Sequence, residues 1–248
     1  MKATATIYYS PEGEARHRAL VERVVKEGIP PEATVIFKQR NTVATIPSGG
    51  ITVNIKSFAM PNIVNRYVYG RIRKSKARRS FANSQRLTRL GFLVPAPLAF
   101  IEERTALTFR RSFFISEHVF GLTEMRAPER HDFCGELMAA LGREIARLHA
   151  AGVWMKDFSP GNVLFRRNPS TGGFDFYYVD LNRIRFDDHD PAHLDRMWER
   201  ILFVPEQIAA ATRAYAEATG RDADKVFATA MKRWNAFTAR KRKKSVKH

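Results

Sequence analysis

The sequence has one cysteine in 248 residues, Cys134, so an internal disulfide is impossible. A reducing compartment fits that absence. Cys134 opens an apolar helical pattern and reads as a packing residue. No apolar run approaches the ~20 residues a membrane-spanning helix needs. The N-terminal run M-K-A-T-A-T-I-Y-Y-S lacks the apolar core of a signal peptide. Together these absences lead to the expectation of a soluble, cytoplasmic protein that touches a membrane at most. Acids are scarce too: 25 Asp and Glu stand against 42 Lys and Arg, for a net charge of +17. Between Arg66 and Gly91 there is no acid at all. Such a field favours an anionic partner: nucleic acid, an anionic membrane face, or a phosphorylated or acidic substrate. Charge alone does not choose among them.

What is present is enough for a packed protein. Hydrophobic residues make up 44% of the chain, which excludes wholesale disorder. Glu14–Gly28 reads as a helix with Ala19, Leu20 and Val24 on its apolar face. β-Branched runs follow at Thr34–Phe37, Thr42–Ile46 and Ile51–Phe58, with Pro-Ser-Gly-Gly turning the last two into a hairpin. A second helix is expected over Ala77–Leu90, with Phe81, Leu87 and Leu90 inward. Leu98–Glu103 and Arg111–Val119 read as another strand pair. The clearest helix is His131–Ala151, where Leu137, Leu141, Ile145 and Leu148 recur at helical spacing. Short strands at Val163–Phe165 and Phe174–Val179 follow. Helices at Pro191–Gly220 and Asp222–Phe237, then a basic tail, complete the chain. The order is a sheet-rich part, a link, and a mainly helical part, an α+β arrangement. The expected boundaries are 1–118, 119–231 and a basic end at 232–248.

Between two apolar runs lies V-W-M-K-D-F-S-P-G-N-V-L-F, residues 153–165. It places Asp157 five residues before Asn162, and Asp180 later ends the run F-Y-Y-V-D. An Asp, an Asn and a second Asp in that order suit phosphoryl transfer. One carboxylate orients the attacking hydroxyl; the amide and the other carboxylate hold Mg²⁺ on the phosphates of ATP. D-x-x-x-x-N alone is a weak signal. Its blander explanation is a turn-capping Asp before Ser-Pro-Gly and a turn Asn after Gly161. The preceding helix, the flanking strands and a Lys far upstream give it weight. Ser159 reads as a turn residue, since no base stands beside it.

These residues resemble the protein-kinase-like fold, and more narrowly the lipopolysaccharide core kinases that phosphorylate Kdo or heptose. The likeness rests on Lys56 in the hairpin, S-K-A-R-R-S-F-A-N-S-Q-R-L, G-F-L-V-P-A-P-L-A-F-I-E, F-I-S-E-H-V-F-G, K-D-F-S-P-G-N-V-L-F and V-D-L-N-R. It implies a bilobal protein-kinase-like fold, with a sheet-rich N-lobe, a mainly helical C-lobe and a nucleotide between them. It implies ATP and Mg²⁺ as cofactors. Asp157 would be catalytic, and Lys156 could stabilise the transferred phosphoryl. Lys56 would neutralise the α/β phosphates, and Glu117 and Val119 in the link would meet adenine. Asn162 and Asp180 would hold the metal.

The sequence departs from that pattern at three places. The helix at Ala77–Leu90 carries no Glu to pair with Lys56, leaving only neutral Asn83 or Gln85. Met155 replaces the His two positions before Asp157, and the metal motif reads Asp180-Leu181-Asn182. A Gly-rich phosphate loop is also missing: Gln39–Asn41 stands at its position, and Gly49–Gly50 reads as the far turn of the hairpin. The leading expectation is an ATP-dependent kinase for an anionic, lipid-linked saccharide, held peripherally at the inner face of the inner membrane. The rivals are a catalytically dead nucleotide-binding scaffold that docks on membrane or nucleic acid, and a kinase for another acceptor. Nucleic acid ranks behind membrane because the basic end offers only Trp234 and Phe237 for stacking, both at helical spacing.

Overall fold

The computed structural model describes residues 4–59, 74–105, 108–126, 134–201 and 204–245. Within it the chain divides into two compact units, Met1–Phe120 and Gly121–His248. The expected basic stretch Arg66–Arg73 and the helix start at His131–Phe133 lie outside the described residues, as does the side chain of Cys134.

The first unit is built on an antiparallel sheet in the order β1-β5-β6-β4-β3-β2. Its strands are β1 (Thr4–Tyr9), β2 (Thr34–Lys38), β3 (Thr42–Ser48), β4 (Ile51–Phe58), β5 (Pro97–Arg104) and β6 (Phe109–Glu117). β1 was not expected from the sequence. Its burial alternates exposed and half-buried, so it has no fully apolar face to announce it. Pro47 was expected in a turn but extends β3, paired with Thr52, and the turn tightens to Gly49–Gly50. Both glycines have positive φ, 56° and 82°, as a two-residue hairpin turn requires.

Helices cover both sheet faces. α1 (Pro11–Glu27) starts three residues earlier than expected, because Ser10 accepts from Gly13 N–H at 3.0 Å and Pro11 stands at the first helical position. Gly13 is needed there: a Cβ would lie 1.9 Å from the Leu98 carbonyl oxygen. The buried stripe is Gly13, His17, Leu20, Val21 and Val24, so Ala19 faces solvent, contrary to expectation. It packs on Val53, Ile55, Ile101 and Ile115. α2 (Lys76–Arg89) covers the opposite face through Ala77 and Phe81, against Phe58, Phe100 and Phe114. Leu90, expected inward, is the C-cap and is 41% exposed; Phe92 turns back into the core instead.

In the second unit α3 (Cys134–Ala150) buries Leu137, Leu141, Ile145 and Leu148 completely, as its spacing predicts. The small strands β7 (Thr123–Glu124), β9 (Val163–Arg167) and β10 (Phe174–Tyr178) form one sheet. β8 (Trp154–Met155) and β11 (Ile184–Arg185) form another. The expected helix Pro191–Gly220 is broken into α4 (Pro191–Leu194), a 3₁₀ turn, α5 (Trp198–Ile201) and α6 (Pro205–Thr219). Pro205 accounts for the last break: it lacks an N–H for an interior turn and opens a new helix instead. α7 (Ala223–Ser245) runs eight residues past the expected end, through the basic run. Lys and Arg are good helix formers, and cations suit a helix C-terminus.

Candidate active site

Two adjoining loops of the second unit carry the polar cluster. The first, after β8, holds Lys156, Asp157 and Asn162. The second, after β10, holds Asp180. Met155 pairs with Ile184, and Lys156 N–H donates to Arg183 O at 3.0 Å, so the loops start in register. Asn162 and Val163 N–H both donate to Ser159 O, at 2.8 and 3.2 Å, which closes the first loop into a turn. Val179 N–H donates to Asn162 O at 3.0 Å, joining the two again. Phe158 is buried and its ring centroid lies 6.3 Å from that of Tyr178. Met155, at the expected histidine position, is buried under the loop as apolar filling.

β10 is anchored from behind. Tyr178 is fully buried and donates its hydroxyl to Glu144 Oε1 of α3 at 2.8 Å. Burial, then the Glu144 carboxylate, pushes its pKa well above the usual phenol range. The strand end is thereby fixed two residues before Asp180.

Asp180 has φ 57° and ψ 46°, the left-handed conformation. A non-glycine residue there is uncommon, although Asp tolerates it better than most. Asn182 donates to Asp180 Oδ1 at 2.8 Å and holds the carboxylate. Asn162 Nδ2 donates to the backbone oxygen of Asp157 at 2.9 Å, which turns its Oδ1 away from that carbonyl. Asp157 accepts from Arg183 Nη1 at 3.1 and 3.4 Å and from Arg200 Nη1 at 3.1 Å. Met155, Asp157, Asn162, Asp180 and Arg183 line one small depression. Lys156 is exposed beside it.

The remaining expected residues belong to the first unit. Lys56 lies on the face of β4 that also carries Phe58, with its Nζ 5.3 Å from that ring centroid. Lys76 Nζ lies 6.0 Å from the same ring. α2 supplies no acid on that face. Glu117 ends β6; its N–H donates to Ala96 O at 2.9 Å, and its O accepts from Asn54 Nδ2 at 3.0 Å. Among the described residues Val119 makes no backbone hydrogen bond. The turn Gln39–Asn41 between β2 and β3 contains no glycine.

The sequence reading did not single out Arg183, Arg200 or Asn182. Arg183 and Asn182 stand inside V-D-L-N-R, so a signal was present. Arg200 is 43 residues from Asp157 and has no local signal.

The model of the lipopolysaccharide kinase (Kdo/WaaP) family matches residues 59–215, well over half of the chain. The chain belongs to that family. Like the family, it is a phosphotransferase with a hydroxyl acceptor, a lipopolysaccharide kinase. The fold agrees. A structure of WaaP in complex with acyl carrier protein is 16% identical at a TM-score of 0.61, covering 98% of this chain and 99% of that one. An aminoglycoside-3'-phosphotransferase of type VIII is 15% identical at a TM-score of 0.58, covering 89% of this chain and 97% of that one. Both likenesses support the protein-kinase-like fold and nothing finer. No curated protein matches the chain. In this kinase, among the described residues, no helix is long and apolar enough to cross a membrane.

Proposed function

We propose that this kinase transfers the γ-phosphoryl of Mg-ATP to a hydroxyl of an inner-core sugar, Kdo or heptose. The observation that carries the reading is the laced pair of loops bearing Asp157, Asn162 and Asp180. Asp157 orients the acceptor hydroxyl and accepts its hydrogen bond. Its carboxylate is held from outside by Arg183 and Arg200, so its direction is set before the acceptor arrives. Lys156 sits next to it and supports charge on the transferred phosphoryl. Lys56 pairs with the α/β phosphates, and the Glu117 carbonyl with Val119 N–H meets adenine.

Asn162 Oδ1 and Asp180 are hard oxygen donors and fit Mg²⁺. Among the described residues no cluster of three or more His, Cys, Asp or Glu could hold a metal. Two protein ligands suffice, because Mg²⁺ completes its shell with water and phosphate oxygens. When bound, the ion neutralises charge on the phosphates.

A membrane-attached acceptor fits the charge. Net charge is +17, and Arg240–Lys243 lie exposed on α7. Each such residue contributes about 1 kcal/mol near an anionic surface.

Mass spectrometry of lipid A–core from cells with and without the protein tests the proposal. Loss of one phosphate from an inner-core sugar is the expected result. Unchanged core masses would leave a kinase for another acceptor as the better reading.

A further inference from the structure

Charge around Asp157 does not balance. One carboxylate, 26% exposed, faces two guanidiniums that are 47% and 40% exposed. Each arginine spends a single nitrogen, Nη1, on it. A guanidinium carries five N–H donors in a planar fork. Among the described residues no other hydrogen-bond partner is found for Arg183 or Arg200, so Nε and Nη2 of both remain available at the surface of the site. Lys156, exposed beside Asp157, adds a further positive charge.

Holding a carboxylate in place needs one arginine, and a bidentate pair does it best. Here two arginines each make a partial contact, Arg183 from 26 residues and Arg200 from 43 residues further along the chain. Arg200 is also steadied from behind, with Cζ 5.7 Å from the Phe237 ring centroid of α7. Next door, buried Glu199 accepts from Arg240 Nη2 of α7 at 3.4 Å and pairs with Arg196. α5 is therefore pinned on the α7 side, and the Arg200 fork is preorganised.

We propose that Arg183 and Arg200 form an oxyanion-binding subsite for the acceptor: their unused N–H donors take an anionic group carried by the sugar, a carboxylate first of all. The acceptor's hydroxyl and its anion would then be read by the same cluster, since Asp157 orients the one while its two arginines hold the other. Specificity follows, because a neutral analogue gives up the charge-assisted hydrogen bonds that the two guanidinium forks offer an anion. This inference rests on the acceptor-kinase reading above and names how that acceptor is recognised.

The test compares a Kdo-bearing lipid A precursor with its carboxyl methyl ester, using wild type, Arg183→Gln and Arg200→Gln. Steady-state transfer at saturating Mg-ATP gives the ratio of kcat/KM for acid over ester. Wild type should prefer the acid by roughly 100-fold, and each variant should lose about tenfold or more of that preference. The ratio reports on the anion itself, because loss of Asp157 positioning would slow both substrates alike. A preference kept in both variants overturns the subsite, and so does an equal kcat loss for acid and ester. Calorimetric binding of the free sugar acid and its methyl ester is measured in parallel. Wild-type discrimination in binding without any transfer would contradict the kinase reading alone, and equal wild-type binding of the two would overturn the subsite alone. Addition of inorganic phosphate separates a phosphate preference: if it displaces the sugar acid at concentrations well below those of competing acetate, the anion read is a phosphate and the carboxylate assignment fails.

Discussion

Asp180 and Asp157 are both acids in loops, yet their surroundings differ. Asp180 takes a left-handed backbone and one amide partner, Asn182. Asp157 takes two guanidiniums. Asp180→Ala should weaken Mg-ATP binding at least tenfold, read as a smaller melting-temperature rise with ligand. Asn182→Ala should do the same more mildly, because it removes one hydrogen bond to the carboxylate and keeps the carboxylate itself. Unaltered ligand-induced shifts in both variants would remove Asp180 from the metal site. A different residue governs behaviour in acid. His149 is buried, with Nδ1 3.0 Å from the Tyr215 hydroxyl, and burial, then Arg221, lowers its pKa from 6.5 to about 4. The unfolded chain protonates this histidine below about pH 6.5, while the folded chain keeps it neutral down to about 4. Its contribution is therefore intact above pH 6.5 and is lost as pH falls toward 4, a loss of about 3 kcal/mol at most. Thermal melts from pH 7.5 to 4 should show that decline, and His149→Gln should flatten it. Equal slopes would mean another group is responsible. At this scale the sequence exposed residues whose partners are close in the chain. Asp157, Asn162 and Asp180 could be found because they lie near elements of legible pattern: α3 before them, β9 between them and β10 just ahead of Asp180. Arg200 could not, because its proximity to Asp157 depends on how α5 folds back.

Elements were legible where one face is apolar throughout. α3 reads directly from Leu137, Leu141, Ile145 and Leu148, all fully buried. β1 was invisible because it is an edge strand with an alternating, half-exposed pattern. The two-residue strands β7, β8 and β11 are too short for any period. The broken α4–α5 region was misread as one helix, although Pro205 marked its limit. The packing of α3 on α6 also hides in a single atom. A Cβ on Gly142 would lie 2.0 Å from the Ala211 carbonyl oxygen. Backbone cannot step aside as a flexible side chain can. Gly142→Ala should cost roughly 2–4 kcal/mol, seen as a large fall in melting temperature, despite the better helix propensity of Ala. A variant as stable as wild type would mean the two helices separate easily there.

For the whole molecule, charge is the property most exposed to test. A net +17 should give sedimentation with anionic liposomes at low salt and release at roughly half-molar salt, where the Debye length falls to a few ångströms. Reversing Arg240, Lys241, Arg242 and Lys243 should weaken docking while leaving Mg-ATP binding intact. Tighter binding to RNA than to liposomes at matched salt, with a steep salt slope, would favour the nucleic-acid alternative. The fold class was readable from the order of strand-rich and helix-rich segments. The acceptor was not, because composition supplies only a sign of charge. The account stands most directly on transfer itself. Purified wild type and Asp157→Ala should be given radiolabelled γ-phosphate ATP, Mg²⁺ and a Kdo-bearing lipid A acceptor, with Mg-ATP affinity measured on the same samples. Wild type should label the sugar, and Asp157→Ala should fall by about 10³-fold or more with affinity nearly unchanged. Equal labelling by the two proteins, or none by either while both bind Mg-ATP, would contradict a kinase built on Asp157.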